Sequence, residues 1–115
     1  MCLRVVIVDD HARFRAQAAE LLTLERFSVV GDAETGARGI ELSRALAPDL
    51  VLLDVGLPDA SGFDLVAAMR ATGAAVVLTS SRSSRDYGTR VSDSGADGFI
   101  SKAELSGEAI RSLLM

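Results

Sequence analysis

The sequence predicts an α/β domain built on a doubly wound, five-stranded parallel sheet. Two observations predict it. Short apolar runs alternate with amphipathic stretches from one end of the 115-residue chain to the other. The runs RVVIV and LVLL are continuous in hydrophobicity, as strands covered on both faces are, where a half-exposed strand would alternate. Consecutive parallel strands are joined by right-handed crossovers, so helices cover both faces of the sheet.

Each element has its own signal. Leu3 to Val8 is a β-branched strand that stops at Asp9-Asp10. Ala12 to Leu24 carries Phe14, Ala18, Leu21 and Leu22 at helical spacing. Phe27 to Val30 is a second strand, closed by Gly31-Asp32. Thr35 to Leu46 is a helix with Ile40 and Leu42 on its apolar side, and Pro48 marks its end. Leu50 to Leu53 is the third strand, stopped by Asp54. Gly56, Pro58 and Asp59 make a loop, and Ser61 is placed to cap a helix holding Phe63, Leu65, Val66 and Met69. Ala74 to Thr79 is the fourth strand. A weak helix follows near Asp86 to Ser92, interrupted by Gly88. Phe99-Ile100 is a brief fifth strand, and Glu104 to Leu114 a last helix.

Size and composition narrow the function. The length suits one domain, 1–115, with no linker or repeat. Hydrophobic residues make up 49% and charged residues 24%, which is globular and argues against disorder. No apolar run approaches the ~20 residues of a membrane span. The N-terminus runs straight into acid, unlike a signal peptide, and one cysteine, Cys2, forms no internal disulfide. These features predict a cytoplasmic protein. A net charge of −4 argues against nucleic-acid binding by this segment.

In an open parallel sheet, ligands bind beyond the carboxyl ends of the strands. The first strand ends in Asp9-Asp10, the third in Asp54, the fourth in Thr79-Ser80, and the fifth just before Lys102. The topology therefore gathers these side chains at one edge. Two carboxylates ~4 Å apart repel by about 4 kcal/mol at an effective dielectric near 20. One lysine cannot offset three acids, whereas a divalent cation can. Oxygen-only ligands suit Mg²⁺, and no recurring imidazole or thiolate points to zinc. A carboxylate such as Asp54 can attack phosphorus to form an acyl phosphate, while Lys102 and Ser80 are placed to stabilise the transferred oxygens.

At this point the sequence resembles, over its whole length, the receiver domains of two-component response regulators. The motifs that carry the resemblance are VVIVDDH, LVLLDVGLPDASGFDL, VVLTSS and GADGFISK. The resemblance implies a flavodoxin-like (βα)5 fold with strand order 2-1-3-4-5. It implies Mg²⁺-dependent phosphoryl transfer from the phosphohistidine of a sensor histidine kinase to Asp54 as phosphoacceptor. Mg²⁺ would be held by Asp10 directly, by Asp9 directly or through water, and by Asp54 and the backbone carbonyl of Gly56. Lys102 would pair with the phosphoryl oxygens, and Ser80 and Phe99 would be the switch residues. The surface around the fourth and fifth strands would then change to control an output, transcription being the expected one. The protein would not be an enzyme in the usual sense, since it catalyses only its own phosphorylation and dephosphorylation. The face formed by the fourth helix, fifth strand and fifth helix is the expected homodimer surface.

Ala103 follows Lys102 where many members have proline, so no cis peptide is forced there. That feature, the DDH opening and the GFISK segment are similar to the LuxR-type, NarL-like subfamily, whose members usually add a helix-turn-helix output domain. None is expected in this chain, which reads as an isolated receiver segment or a protein acting alone.

Two other classes share part of this pattern. A haloacid-dehalogenase-like phosphatase also forms an aspartyl phosphate but needs a second Asp two residues on, where this chain has Gly56. A pseudo-receiver would not keep the set Asp9, Asp10, Asp54, Ser80 and Lys102 intact. His11 is read as a residue at the start of a helix rather than a phosphorelay group. Cys2 is read as a strand-start residue, and Phe14, Phe27 and Phe63 as core. Tyr87 is assigned to the surface, and Arg82, Arg85 and Arg90 either to an interaction face or to a solvated one.

Overall fold

The computed structural model describes residues 2–114, so the ends Met1 and Met115 of the expected 1–115 domain lie outside the described residues. The strands are β1 Arg4–Val8, β2 Ser28–Ala33, β3 Leu50–Asp54, β4 Ala75–Ser80 and β5 Gly98–Ser101. The helices are α1 Ala12–Leu24, α2 Gly36–Leu46, α3 Gly62–Arg70, α4 Arg90–Asp93 and α5 Gly107–Leu114. All strands pair in parallel, in the order β2-β1-β3-β4-β5, as the resemblance implied.

Period-2 alternation within the central strands explains the layering. Val5 and Ile7 of β1, with Leu50 and Leu52 of β3, face a layer completed by Ala18 and Leu22 of α1 and Ile110 of α5. Val6 and Val8, with Val51 and Leu53, face the opposite layer, where Phe63, Val66 and Met69 of α3 pack. Continuous apolar runs were thus the correct sign of a sheet covered on both sides. On the second side α2 comes so close that a Cβ added to Gly39 would lie 2.7 Å from a Val8 methyl.

The largest differences from expectation among the elements are these. β2 continues through Gly31-Asp32 to Ala33, because a register shift between Val5 and Val6 lets β1 keep pairing past the expected turn. The expected fourth helix breaks in two at Gly88, whose φ is +58°: a 3₁₀ turn Ser84–Tyr87 precedes one α-helical turn, α4. The last helix begins later, at Gly107, after a 3₁₀ turn Lys102–Glu104. Ser61 stands at the N-cap of α3 without a side-chain cap bond, whereas Thr35 caps α2 by accepting from the Arg38 N–H.

Candidate functional site

The carboxyl ends of β1 and β3 lie side by side, because Val8 pairs with Leu53. Asp9 and Asp54 extend from adjacent strands into one cluster, with Asp9 fully buried and Asp54 4% exposed. Asp10, one residue further on, is exposed. One ligand atom from each of Asp9, Asp10, His11 and Asp54 falls within a group no wider than 4.8 Å.

Lys102 reaches this group from the end of β5. Its Nζ lies 2.7 Å from Asp9 Oδ2 and 3.5 Å from Asp54 Oδ1. The contact to Asp9 Oδ2 is a close ion pair with a fully buried carboxylate. The same ammonium stands 4.6 Å from the centroid of the Phe14 ring, so α1 supplies a face that holds the lysine over the acids. His11 turns back on the carboxylates. Its backbone N–H donates to Asp9 Oδ1 at 2.8 Å, and its Nδ1 lies 3.0 Å from that oxygen and 3.2 Å from Asp10 Oδ1.

Three acids around one lysine leave negative charge in excess, and Asp54 registers it. Its pKa is raised from 3.8 to about 6, first by burial and then by repulsion from Asp9, with Lys102 pulling the other way. Three carboxylates grouped this closely, with one ammonium to offset them, fit a hard divalent cation.

The loop after β3 is anchored from two sides. Gly62 N–H donates to Val55 O at 2.7 Å, and Gly56 and Ser61 form a single antiparallel bridge. The Asp59 carboxylate accepts from the N–H groups of Gly36 and Ala37 at 2.8 and 3.0 Å, which holds its pKa below the ordinary value. By sequence Asp59 is only a turn residue. An acid in the loop is a general turn signal, and the helix terminus it serves lies over twenty residues earlier. Gly56 itself is exposed on this loop.

Ser80 ends β4 but does not join the acids. Its Oγ lies 2.6 Å from the Tyr87 hydroxyl and accepts from the Arg82 N–H at 3.1 Å. Tyr87 corrects the surface assignment: it is half-buried, edge-on to Phe63 at 5.2 Å between ring centroids and 5.9 Å from Phe99. In a turn where every neighbour is exposed, an aromatic with a polar tip found both an apolar wall and a hydroxyl partner. Phe27 and Phe63 are buried, and Phe14 and Phe99 half-buried against the two layers. Cys2 is exposed. Arg82, Arg85 and Arg90 are exposed, and the Arg90 guanidinium covers the Phe63 ring at 4.5 Å. No peptide bond among the described residues is cis, and no helix among them is long and apolar enough to cross a membrane.

The geometry can be set beside known proteins. The family described as response regulator receiver domain matches residues 5–114. The virulence-factor transcription regulator BvgA of Bordetella pertussis is 34% identical over 110 residues, covering 93% of this chain and 52% of the relative. The nitrate/nitrite response regulator NarL of Escherichia coli is 34% identical over 102 residues, covering 85% of this chain and 47% of the relative. The chain thus spans about half the length of the curated relatives it matches. Among solved structures, the signal receiver domain of the response regulator NarL from Mycobacterium tuberculosis superposes with a TM-score of 0.85 at 34% identity, covering 98% of this chain and 94% of that one.

Proposed function

The chain belongs to the response regulator receiver domain family, and from that membership we propose that it accepts a phosphoryl group on Asp54. One observation carries the reading. The buried Asp54 carboxylate stands in one group with Asp9 and Asp10, with the Lys102 ammonium 3.5 Å away.

In the proposed step an oxygen of Asp54 attacks the phosphorus of a phosphohistidine on a sensor histidine kinase. The O–P bond forms as the P–N bond breaks, and the histidine nitrogen leaves with the electron pair. Asp54 must be ionised to attack, so its raised pKa requires positive charge nearby. Lys102 supplies part of it and is within reach of an oxygen on the transferred group. Asp9, Asp10 and Asp54, with the Gly56 carbonyl, would hold Mg²⁺, which when bound supplies the remaining positive charge for the carboxylates and phosphoryl oxygens. Hydrolysis of the acyl phosphate at the same site returns the chain to its starting state. The phosphoryl acceptor is the protein's own carboxylate, so the chain acts as a switch rather than as a turnover enzyme.

The partners follow from the reaction and the relatives. The phosphoryl donor is a sensor histidine kinase, and the compartment is the cytoplasm. BvgA is named a transcription regulator, and transcription is the output proposed here, with DNA contacted through an output domain rather than through this segment. The surface of α4, β5 and α5 is the proposed homodimer face.

Calorimetric titration with Mg²⁺ tests the site. Wild type should bind one equivalent, and Asp10→Ala should lose binding because a hard cation loses a direct carboxylate. Equal affinity in the two proteins would place the cation elsewhere.

A further inference from the structure

We propose that Tyr87 is a positioning residue that holds the Ser80 hydroxyl away from Asp54 until the acyl phosphate forms. The inference rests on the reading of Asp54 as phosphoacceptor and adds a residue that the motifs do not mark.

The geometry is specific. Ser80 Oγ is 2.6 Å from Tyr87 Oη and accepts from the Arg82 N–H at 3.1 Å. Its side chain has one proton and one rotatable bond to its hydroxyl oxygen, so Oγ cannot keep these partners and also reach a phosphoryl oxygen on the neighbouring strand. The two hydrogen bonds compete. While Tyr87 holds Ser80, one donor for the transferred group is withheld.

The far side of the contact makes release consequential. Tyr87 belongs to the 3₁₀ turn Ser84–Tyr87, where no residue is buried, and its ring packs edge-on to Phe63 at 5.2 Å and beside Phe99 at 5.9 Å. When Ser80 turns to the acyl phosphate, the Tyr87 hydroxyl is left among aromatic carbon without its partner. A polar group in that position favours leaving. Gly88, at φ +58°, follows directly and gives the turn a hinge. Withdrawal of the Tyr87 ring opens space beside Phe99. Loss of one hydroxyl contact on β4 thereby becomes a change in the turn before α4.

Beryllofluoride, an acyl-phosphate mimic, gives the test. Its affinity is measured with Mg²⁺ for wild type, Tyr87→Phe, Ser80→Ala and the double variant. Tyr87→Phe keeps the ring packing and removes only the hydroxyl. It should bind the mimic about five-fold more tightly, the worth of one neutral hydrogen bond no longer broken. Ser80→Ala should bind more weakly than wild type, and adding Tyr87→Phe to it should change nothing, since the contact is already gone. Tyr87 is the only tyrosine and there is no tryptophan, so emission reports this ring alone. Emission should change on adding the mimic to wild type and on mutating Ser80 without it. An unchanged or weaker affinity in Tyr87→Phe, the same gain in the Ser80→Ala background, or emission indifferent to Ser80 would each overturn the inference. Failure of wild type to bind the mimic at all would instead overturn the reading of Asp54, and this inference with it, while the emission of Ser80→Ala would still report on the Tyr87 contact separately.

Discussion

With no cation present, the Asp54 carboxyl has a pKa of about 6 because burial and Asp9 oppose its charge more than Lys102 supports it. The consequence for stability has a definite sign. A carboxyl whose folded pKa is raised above its unfolded value stabilises the fold while it is protonated, below about pH 4. That contribution is lost as pH rises through about 6. In metal-free protein, Asp54→Asn removes the penalty of the buried charge. The variant should therefore be more stable than wild type at pH 7, by an amount on the order of 2–3 kcal/mol. The gap should close by pH 4. Urea denaturation in EDTA at the two pH values measures it, and a variant less stable than wild type at pH 7 would refute the account of Asp54. Asp9, Asp10, Asp54 and Lys102 were legible from sequence because each ends a strand, and strand ends of a parallel sheet converge. Phe14 as the support of Lys102 was not. Its helical spacing predicts only an inward face, and the ammonium comes from the far end of the chain.

The loop between β3 and α3 depends on close backbone approach. A Cβ on Gly62 would lie 2.3 Å from Asp54 O and 2.8 Å from Val55 Cα, both main-chain atoms that cannot yield as a flexible side chain does. Gly62→Ala should destabilise the fold by at least the 1–3 kcal/mol usual for overpacking. It should also weaken Mg²⁺ binding, because relief of the clash moves Asp54 or the strand end beside it. A denaturation midpoint and Mg²⁺ affinity equal to wild type would contradict this. The region from β4 to β5 behaves differently. Gly88 and a run of serines and arginines make a poor helix by propensity, and the result is two separate turns. That weakness was readable, whereas the extra length of β2 was not, since Gly31-Asp32 signals a turn and only pairing with β1 overrides it. The sparse packing here predicts the response. Binding of beryllofluoride should change amide exchange most between Ser81 and Phe99, and exchange that stays the same there would mean the domain signals by another route.

Across the whole fold, one geometric fact organises the chemistry. Strand order β2-β1-β3-β4-β5 places β1 and β3 side by side at the centre, so the two buried acids come from adjacent strands and Lys102 reaches them from the edge. The sheet and its two covered faces were legible in the hydrophobic pattern. The strand order was not, because periodicity says which residues are inside and nothing about which strands are neighbours; it came from the likeness to a family. Tyr87 escaped both readings, since its partner Ser80 is selected by the path of an irregular turn. The central claim is that this fold exists to place Asp54 where it can carry a phosphoryl group. Intact mass after incubation with acetyl phosphate tests that claim most directly. Wild type should gain one phosphoryl group in the presence of Mg²⁺ and none in EDTA, and Asp54→Asn should gain none in either; equal uptake by Asp54→Asn and wild type would contradict it.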